Sequence, residues 1–312
     1  MPNNVIIAIE TSCDDTSMSL FVNGKLHHQI TKSTLKEMRK FGGIVPEIAS
    51  RGHCQVIDEI FNELIKKTNL DVSNITHIAY TAMPGLPGSL HIGKIYAKSL
   101  AYLLDVELIP INHMYGHIFS FAIENEELIK FPFISFIASG GHTTIYLVKS
   151  LTDIQILNTS SDDAIGEVLD KIGRNLGLEY PGGISIDKIY DENKTDLKLI
   201  DHFPCSKEFS FSGFKTSILN LINNKKEVDK IKIASSSLKW IVEESIRKIK
   251  FYLSIHNVKT LILGGGCSAN SLLRKEITEI KDIAVHLPKL KFCGDNSAMI
   301  AFYAFLLLKN RV

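Results

Sequence analysis

The sequence lacks the marks of an exported, membrane-spanning or strongly charged protein. None of its five cysteines (Cys13, Cys54, Cys205, Cys267 and Cys293) forms a Cys-x-x-Cys pair, and the number is odd. That predicts a reduced, cytoplasmic chain whose cysteines are most simply buried apolar fillers. No apolar run reaches the ~18 residues of a membrane helix. The opening Met-Pro-Asn-Asn passes at once into an apolar run. This leaves no room for a signal peptide, and nothing there is Arg-rich like a transit peptide. Excess charge is missing too. Lys plus Arg total 35 against 34 acids, a net +1. Attraction to RNA must therefore come from a local basic patch or a partner, and no membrane association is expected. There is no Gly-Lys-Ser/Thr and no Gly-x-Gly-x-x-Gly, so neither a P-loop nor the usual dinucleotide turn is present.

What is present is a core-forming chain. Its 312 residues are 45% hydrophobic, enough for two ordinary domains. Val5–Glu10 and Thr16–Val22 read as strands around an Asp14–Asp15 turn, and Asn23-Gly24 signals a hairpin. Pro46 marks the first turn of a helix running to Lys67. His77–Thr81 and Glu107–Ile111 read as strands, separated by a Gly/Pro turn and a helix to Leu104. After a charged joint at 124–130 the pattern restarts. Phe133–Ala138 and Thr143–Val148 flank Ser139-Gly-Gly-His142. Helices follow at Asp163–Leu176, at Asp229–His256 and after Asn296, with a Tyr180-Pro-Gly-Gly183 turn and a strand at Thr260–Leu263. Strands alternating with helices predict an α/β fold, and two strand–turn–strand openings predict duplicated lobes.

Chemistry concentrates in a few places. His113 and His117 are four apart, so a helix would set both imidazoles on one face for one divalent metal. A helical zinc protease of this spacing needs Glu after the first His, and Met114 stands there. Ser139-Gly-Gly-His-Thr143 reads either as a glycine hairpin or as an anion cradle of backbone amides and hydroxyls. Gly264-Gly-Gly-Cys-Ser-Ala-Asn270 follows a strand and opens a helix near Ser268, either a plain loop or a nucleotide-binding turn. Asp14 and Asp15 are metal- or water-directed carboxylates or turn residues. Asp162, Asp163 and Glu167 read as an acidic helix start, and Asp295 as the N-cap of the last helix.

Together these segments resemble the universal tRNA threonylcarbamoyladenosine transferase family, once described as O-sialoglycoprotein endopeptidases, within the actin/sugar kinase/Hsp70-like superfamily. The resemblance is nearly full length. It rests on Glu10-Thr-Ser-Cys-Asp-Asp-Thr16, Gly42-Gly-Ile-Val-Pro-Glu-Ile-Ala-Ser-Arg51, Pro84-Gly-Leu-Pro-Gly-Ser89, Asn112-His-Met-Tyr-Gly-His117, Ser139-Gly-Gly-His-Thr143, Tyr180-Pro-Gly-Gly183, Phe209-Ser-Phe-Ser-Gly213, Gly264–Asn270 and Cys293-Gly-Asp-Asn296. Asp15 replaces a common Glu, Tyr115 another Glu, and Ile184 a common Pro.

The resemblance implies two lobes, 1–126 completed by 294–312, and 127–293, with a nucleotide cleft between them. It implies transfer of a threonylcarbamoyl group from threonylcarbamoyl-AMP to the exocyclic amine of the adenosine beside the anticodon, in tRNAs reading codons that begin with A. His113, His117 and Asp295 would hold one divalent metal, iron ahead of zinc. Ala138, Ser139, Gly140, Gly141 and His142 would cradle the acyl-phosphate. Asp170, Gly183, Asp187 and Asn270 would meet the nucleotide, and Asp14 and Asp15 would orient the attacking group. The expected partners are tRNA, a paralogous subunit and a small ATPase of the bacterial type. Lys32, Lys36, Arg39 and Lys40 form a basic stretch suited to tRNA phosphates or to plain solvation. A metalloprotease and a non-catalytic ATP-binding module are the alternatives.

Overall fold

Successive residues of a strand point to opposite faces, and Val5–Glu10 (β1) is buried on both. A strand covered on both sides needs an unbroken apolar run, and Val-Ile-Ile-Ala-Ile supplies one. It forms the centre of the first of two compact units, Met1–Ile129 with Pro288–Val312; the second is Lys130–Leu287. The computed structural model describes residues 4–197, 208–224 and 229–311, so the reading of Cys205 as a filler lies outside the described residues.

In the first unit β1 turns into Asp15–Val22 (β2), which passes through Asn23-Gly24 into Lys25–Ser33 (β3). Both turn residues have positive φ, 49° and 83°, the geometry of a tight hairpin matched to strand twist. A short helix, Leu35–Arg39 (α1), leads to Pro46–Thr68 (α2). Then come His77–Met83 (β4), Pro87–Leu104 (α3), Glu107–Asn112 (β5) and His113–Phe119 (α4). The sheet order is β3-β2-β1-β4-β5. β1, β2 and β3 are antiparallel, while β1, β4 and β5 run parallel. Val5, Ile7 and Ile9 of β1 share a core with Ile57, Ile60 and Leu64 of α2 and with Ala97 and Ala101 of α3. Each of these valine, isoleucine and leucine side chains stabilises by roughly 1.5–3 kcal/mol on burial. The even-numbered residues, Ile6, Ala8 and Glu10, therefore face the other side.

The second unit repeats the plan. Its elements are Phe133–Ala138 (β6), Thr143–Val148 (β7), Ile154–Thr159 (β8), Ile165–Asn175 (α5), Gly182–Lys188 (α6), Ser212–Asn224 (α7), Lys230–His256 (α8), Thr260–Gly264 (β9), Ser271–Thr278 (α9) and Ala284–His286 (β10). The order β10-β9-β6-β7-β8 matches the first sheet strand for strand. β6, β7 and β8 are again antiparallel, and β6, β9 and β10 again parallel. Ile134, Phe136 and Ala138 pack with the inner faces of α5, α7, α8 and α9. Phe214 of α7 stacks on Trp240 of α8 with ring centroids 4.0 Å apart. The chain then returns to the first unit as Ser297–Lys309 (α10). Phe302 and Phe305 of α10 meet Phe21 of β2 edge-on or tilted.

Several local expectations are corrected. Asp162 and Asp163 do not cap α5. Asp162 instead accepts from the amides of Phe211 and Ser212 at the start of α7, and Asp163 pairs with Lys171 and Lys215. The first amides of α5 are taken by Thr143 Oγ1 and the Ser139 carbonyl, so that helix needs no acidic cap. Asn296, not Asp295, caps α10, accepting from the Met299 amide at 3.0 Å. The Tyr180–Gly183 segment is no plain turn, since α6 begins at Gly182. Between β9 and α9 lies a 3-10 turn, Gly266–Ala269, and the α-helix opens at Ser271. Cys54 is exposed and Cys13 and Cys267 half-buried, so only Cys293 is a buried filler among the described cysteines.

Candidate metal centre and anion-binding turns

The metal centre is assembled from the face of the first sheet that α4 and α10 cover. Asn112 ends β5 and caps α4, its side chain accepting from the amides of Met114 and Tyr115. That fixes the first turn, so His113 and His117 project from one face, both buried. Their rings meet edge to face with centroids 4.7 Å apart. Gly116 lets α10 come close: a Cβ there would lie 3.1 Å from side-chain atoms of Met299 and Ile300. Because Asn296 does the capping, the Asp295 carboxylate is turned to the imidazoles. Its Oδ1 lies 3.0 Å from His117 Nε2 and 3.5 Å from His113 Nε2. The three ligand atoms fall within 4.8 Å of one another. Two imidazoles and one carboxylate that leave further positions open suit a divalent transition metal, so the donor set fits the group that the sequence implied.

Glu10, the last residue of β1, also lies in this centre. It shares the parity of Ile6 and Ala8, and that face brings it beneath His113. The carboxylate is fully buried. It accepts from the Ser12 amide, from the Thr81 hydroxyl and from His113 Nδ1 at 3.1 Å. Burial alone would raise its pKa, but the His113 imidazole outweighs that and holds it low. Burial alone would likewise lower His113, and the Glu10 and Asp295 carboxylates push it up to about 9. His117 is held below its usual value, chiefly by burial. The sequence signal for Glu10 was a charge closing an apolar strand, which stays buried only with partners.

Asp14 and Asp15 sit on the turn after β1, and that turn is pinned from three sides. The Leu86 amide donates to the Ser12 carbonyl, and Ser89 Oγ and His53 Nε2 donate to that of Cys13. Thr34 donates to the carbonyl of Asp14 through both its amide and its hydroxyl. The glycines of Pro84–Ser89 thereby gain a reason: a Cβ on Gly85 would lie 2.6 Å from the Ser12 carbonyl oxygen. His53, not singled out from the sequence, is buried in α2 and accepts from the Thr16 hydroxyl through Nδ1 at 2.7 Å. Burial raises Asp14, and burial with the neighbouring Asp14 charge raises Asp15 to about 7. One oxygen of Asp15 is buried without a hydrogen-bond partner.

The residues expected to meet the nucleotide all lie in the second unit. Ser139 and His142 close the β6–β7 turn, the Ser139 amide donating to the His142 carbonyl and the His142 amide to Ser139 Oγ. Gly140 and Gly141 have no positive φ, and a Cβ on either meets nothing within 4 Å. Neither backbone strain nor packing within the fold calls for glycine there. Behind the turn contacts are close. A Cβ on Gly166 of α5 would lie 2.7 Å from Gly140 Cα, and one on Gly265 (φ 81°) would lie 2.4 Å from the Ala138 carbonyl oxygen. Both Gly-rich turns thus stand at the ends of the neighbouring strands β6 and β9 of one sheet. Asp170 accepts from the amides of Gly182 and Gly183, and Asp187 from the amide and hydroxyl of Ser271. These carboxylates latch α5 to α6 and α6 to α9. Asn270 caps α9 through Oδ1, while its Nδ2 is buried without a partner.

Residues 25–302 match the family model of tRNA N6-adenosine threonylcarbamoyltransferase. Curated relatives of that name include one from Ureaplasma parvum, 48% identical over 99% of this chain and 97% of its own. Another, from Mycoplasma pneumoniae, is 39% identical over 98% of both chains. Among solved structures, T. kodakarensis HypF aligns with a TM-score of 0.67 at 16% identity over 99% of this chain and 48% of its own. The activator of 2-hydroxyisocaproyl-CoA dehydratase from Clostridium difficile, with bound ADPNP, aligns at 0.53 and 12% identity over 98% and 96%. These distant likenesses establish the duplicated α/β architecture, and the near-full-length identities carry the rest: the chain belongs to the tRNA N6-adenosine threonylcarbamoyltransferase family.

Proposed function

We propose that the protein transfers the threonylcarbamoyl group of threonylcarbamoyl-AMP to the N6 amine of the adenosine beside the anticodon in tRNAs reading codons that begin with A. The observation that carries this reading is the His113–His117–Asp295 cluster, its two histidines buried, in a chain that matches the transferase family over nearly its whole length. In the reaction the amine nitrogen bonds to the carbamoyl carbon, the bond from that carbon to the phosphate oxygen breaks, and AMP leaves with the electron pair. The amine loses one proton. Asp15, raised to about 7 by burial and the Asp14 charge, would take it in its carboxylate form, and Asp14 would help orient the amine.

His113, His117 and Asp295 would hold one divalent metal, iron(II) ahead of zinc, since two imidazoles and a carboxylate with open positions favour iron(II). When bound, it would polarise the carbonyl or phosphate oxygens of the intermediate. The turn Ala138–His142 would receive the acyl-phosphate on backbone amides. The unpartnered Asn270 Nδ2 is supplied for an acceptor on the nucleoside. Gly183, Asp170 and Asp187 would shape the same end of the second unit. We take 1–126 with 294–312 as the metal-bearing lobe and 127–293 as the nucleotide-bearing lobe. A paralogous subunit and a small ATPase are the proposed partners, the cytoplasm the proposed compartment, and Lys32, Lys36, Arg39 and Lys40 a proposed tRNA contact. Among the described residues no helix is long and apolar enough to cross a membrane. Proteolysis is not favoured, because Met114 cannot activate a water.

The test is reconstitution. Purified chain, metal, threonylcarbamoyl-AMP, unmodified tRNA and the bacterial partner proteins are incubated, and the nucleosides analysed by mass. Threonylcarbamoyladenosine and AMP should appear in equal amounts. Cleavage of protein substrates without nucleoside formation would overturn the reading.

A further inference from the structure

We infer that Glu10 is a positioning residue for the metal centre: it fixes the His113 ring so that Nε2 presents its lone pair beside His117 Nε2 and the Asp295 carboxylate. The inference rests on the metal reading given above and goes beyond it, because it concerns a side chain that would not touch the metal.

The donor count carries the argument. Three groups converge on two buried oxygens of Glu10. The Ser12 amide donates to Oε1; the Thr81 hydroxyl and His113 Nδ1 meet Oε2. An ionised carboxylate offers no donor, so the proton between Glu10 and His113 must reside on Nδ1. In a singly protonated imidazole that leaves Nε2 unprotonated, and Nε2 is the nitrogen facing Asp295. Outer carboxylates of this kind fix the tautomer and orientation of a metal-binding histidine and raise its basicity. The two histidines are not alike in this respect: His117 Nδ1 is buried with no partner. Orientation by an outer carboxylate therefore reaches this centre through His113.

The variant Glu10→Gln keeps the volume and removes this control. If its amide oxygen faces Ser12, its NH2 faces His113 Nδ1, which must then accept and carry its proton on Nε2. If the oxygen faces His113, the NH2 opposes the Ser12 amide, donor against donor. Either way the arrangement that exposes the Nε2 lone pair is penalised.

The experiment measures zinc affinity by chelator competition for wild type, Glu10→Gln and His117→Ala, with circular dichroism as the check on folding. Alongside it, ring-nitrogen NMR is recorded on 15N-histidine-labelled wild type loaded with zinc. Glu10→Gln should bind zinc about 10–100-fold more weakly, and in zinc-loaded wild type His113 should carry its proton on Nδ1 and the metal on Nε2. A folded Glu10→Gln with wild-type affinity overturns the inference. So does coordination of His113 through Nδ1 in wild type, a result that decides the matter even if the variant does not fold. His117→Ala separates the two readings. Should it retain full zinc affinity, the metal reading itself fails; should it lose zinc while Glu10→Gln does not, the inference alone fails.

Discussion

His53 Nε2 donates to the carbonyl of Cys13 at 3.0 Å, tying the middle of α2 to the turn that carries Asp14 and Asp15. Its other nitrogen accepts from Thr16 on the far side of that turn. The imidazole thus spans the turn from within the core. Replacing it with Leu leaves the buried Thr16 hydroxyl without its acceptor and the Cys13 carbonyl with only Ser89 Oγ, which costs about 1–3 kcal/mol. His53→Leu should therefore lower the melting temperature. Through displacement of Asp14 and Asp15 it should also slow transfer by about 10–100-fold. Metal content should stay at the wild-type level, since His53 bonds none of the three ligand side chains. Parallel metal analysis and single-turnover assays check this; a fall in metal content equal to the fall in rate would place His53 in the metal centre instead.

His113→Ala and Asp295→Ala should each lose the metal, and with it transfer, while keeping the fold. Asp295 is partly exposed, and the packing around the centre comes from other side chains, notably Phe119 and Tyr303, stacked at 5.2 Å. The loss of affinity should exceed the ~10–100-fold of an outer partner. Elemental analysis after dialysis, with circular dichroism, is the measurement. Wild-type metal content in both variants would sink the assignment.

Much of this was legible before the structure. The strands β1, β4, β6 and β9 are mostly apolar and buried through their central residues, and such runs declare themselves. Three of the four edge strands, β3, β8 and β10, were not legible, for a physical reason. β3 reads Lys-Leu-His-His-Gln-Ile-Thr-Lys-Ser and is mostly exposed; its strand state comes from pairing with β2. β10 has three residues paired only to β9. α7 was hidden by its Ser and Gly content, and its start is fixed by a carboxylate, Asp162, about fifty residues upstream. In the metal centre the His pair was visible from its spacing, and Asp295 only through family resemblance. Glu10 and His53 needed the structure, because what marks them is partners distant in sequence.

Burial and the Asp14 charge raise Asp15 to about 7, which gives two pH signatures of known sign. If the carboxylate form takes the amine proton, single-turnover transfer should climb as pH rises through about 7, and Asp15→Asn should be slow and flat across that range. Stability moves the other way. The folded carboxyl holds its proton to higher pH than the unfolded one, so the unfolded state binds fewer protons between the ordinary value of 3.8 and about 7, and stability falls across that window. Asp15→Asn should flatten that slope as well. A wild-type rate independent of pH around 7 would remove Asp15 from proton transfer.

The two glycine-rich turns of the second unit should respond differently to a single methyl group or more. Gly265 sits at φ 81°, and a Cβ would lie 2.4 Å from the Ala138 carbonyl oxygen. Gly265→Ala must strain the backbone and push β6 and β9 apart, so it should destabilise the protein by more than about 1 kcal/mol. Gly141 has no such constraint: φ is outside the left-handed region, and a Cβ there meets nothing within 4 Å. Gly141→Val should leave the fold and the metal content as in wild type, because its added atoms point into open space. That space is where the acyl-phosphate would lie against the amides of the turn, so affinity for ATP or an adenylate analogue should fall sharply. Calorimetric titration with the nucleotide, run beside a melting curve and a metal assay, separates the effects. Full nucleotide affinity in Gly141→Val would mean that Ser139–His142 is a hairpin and nothing more.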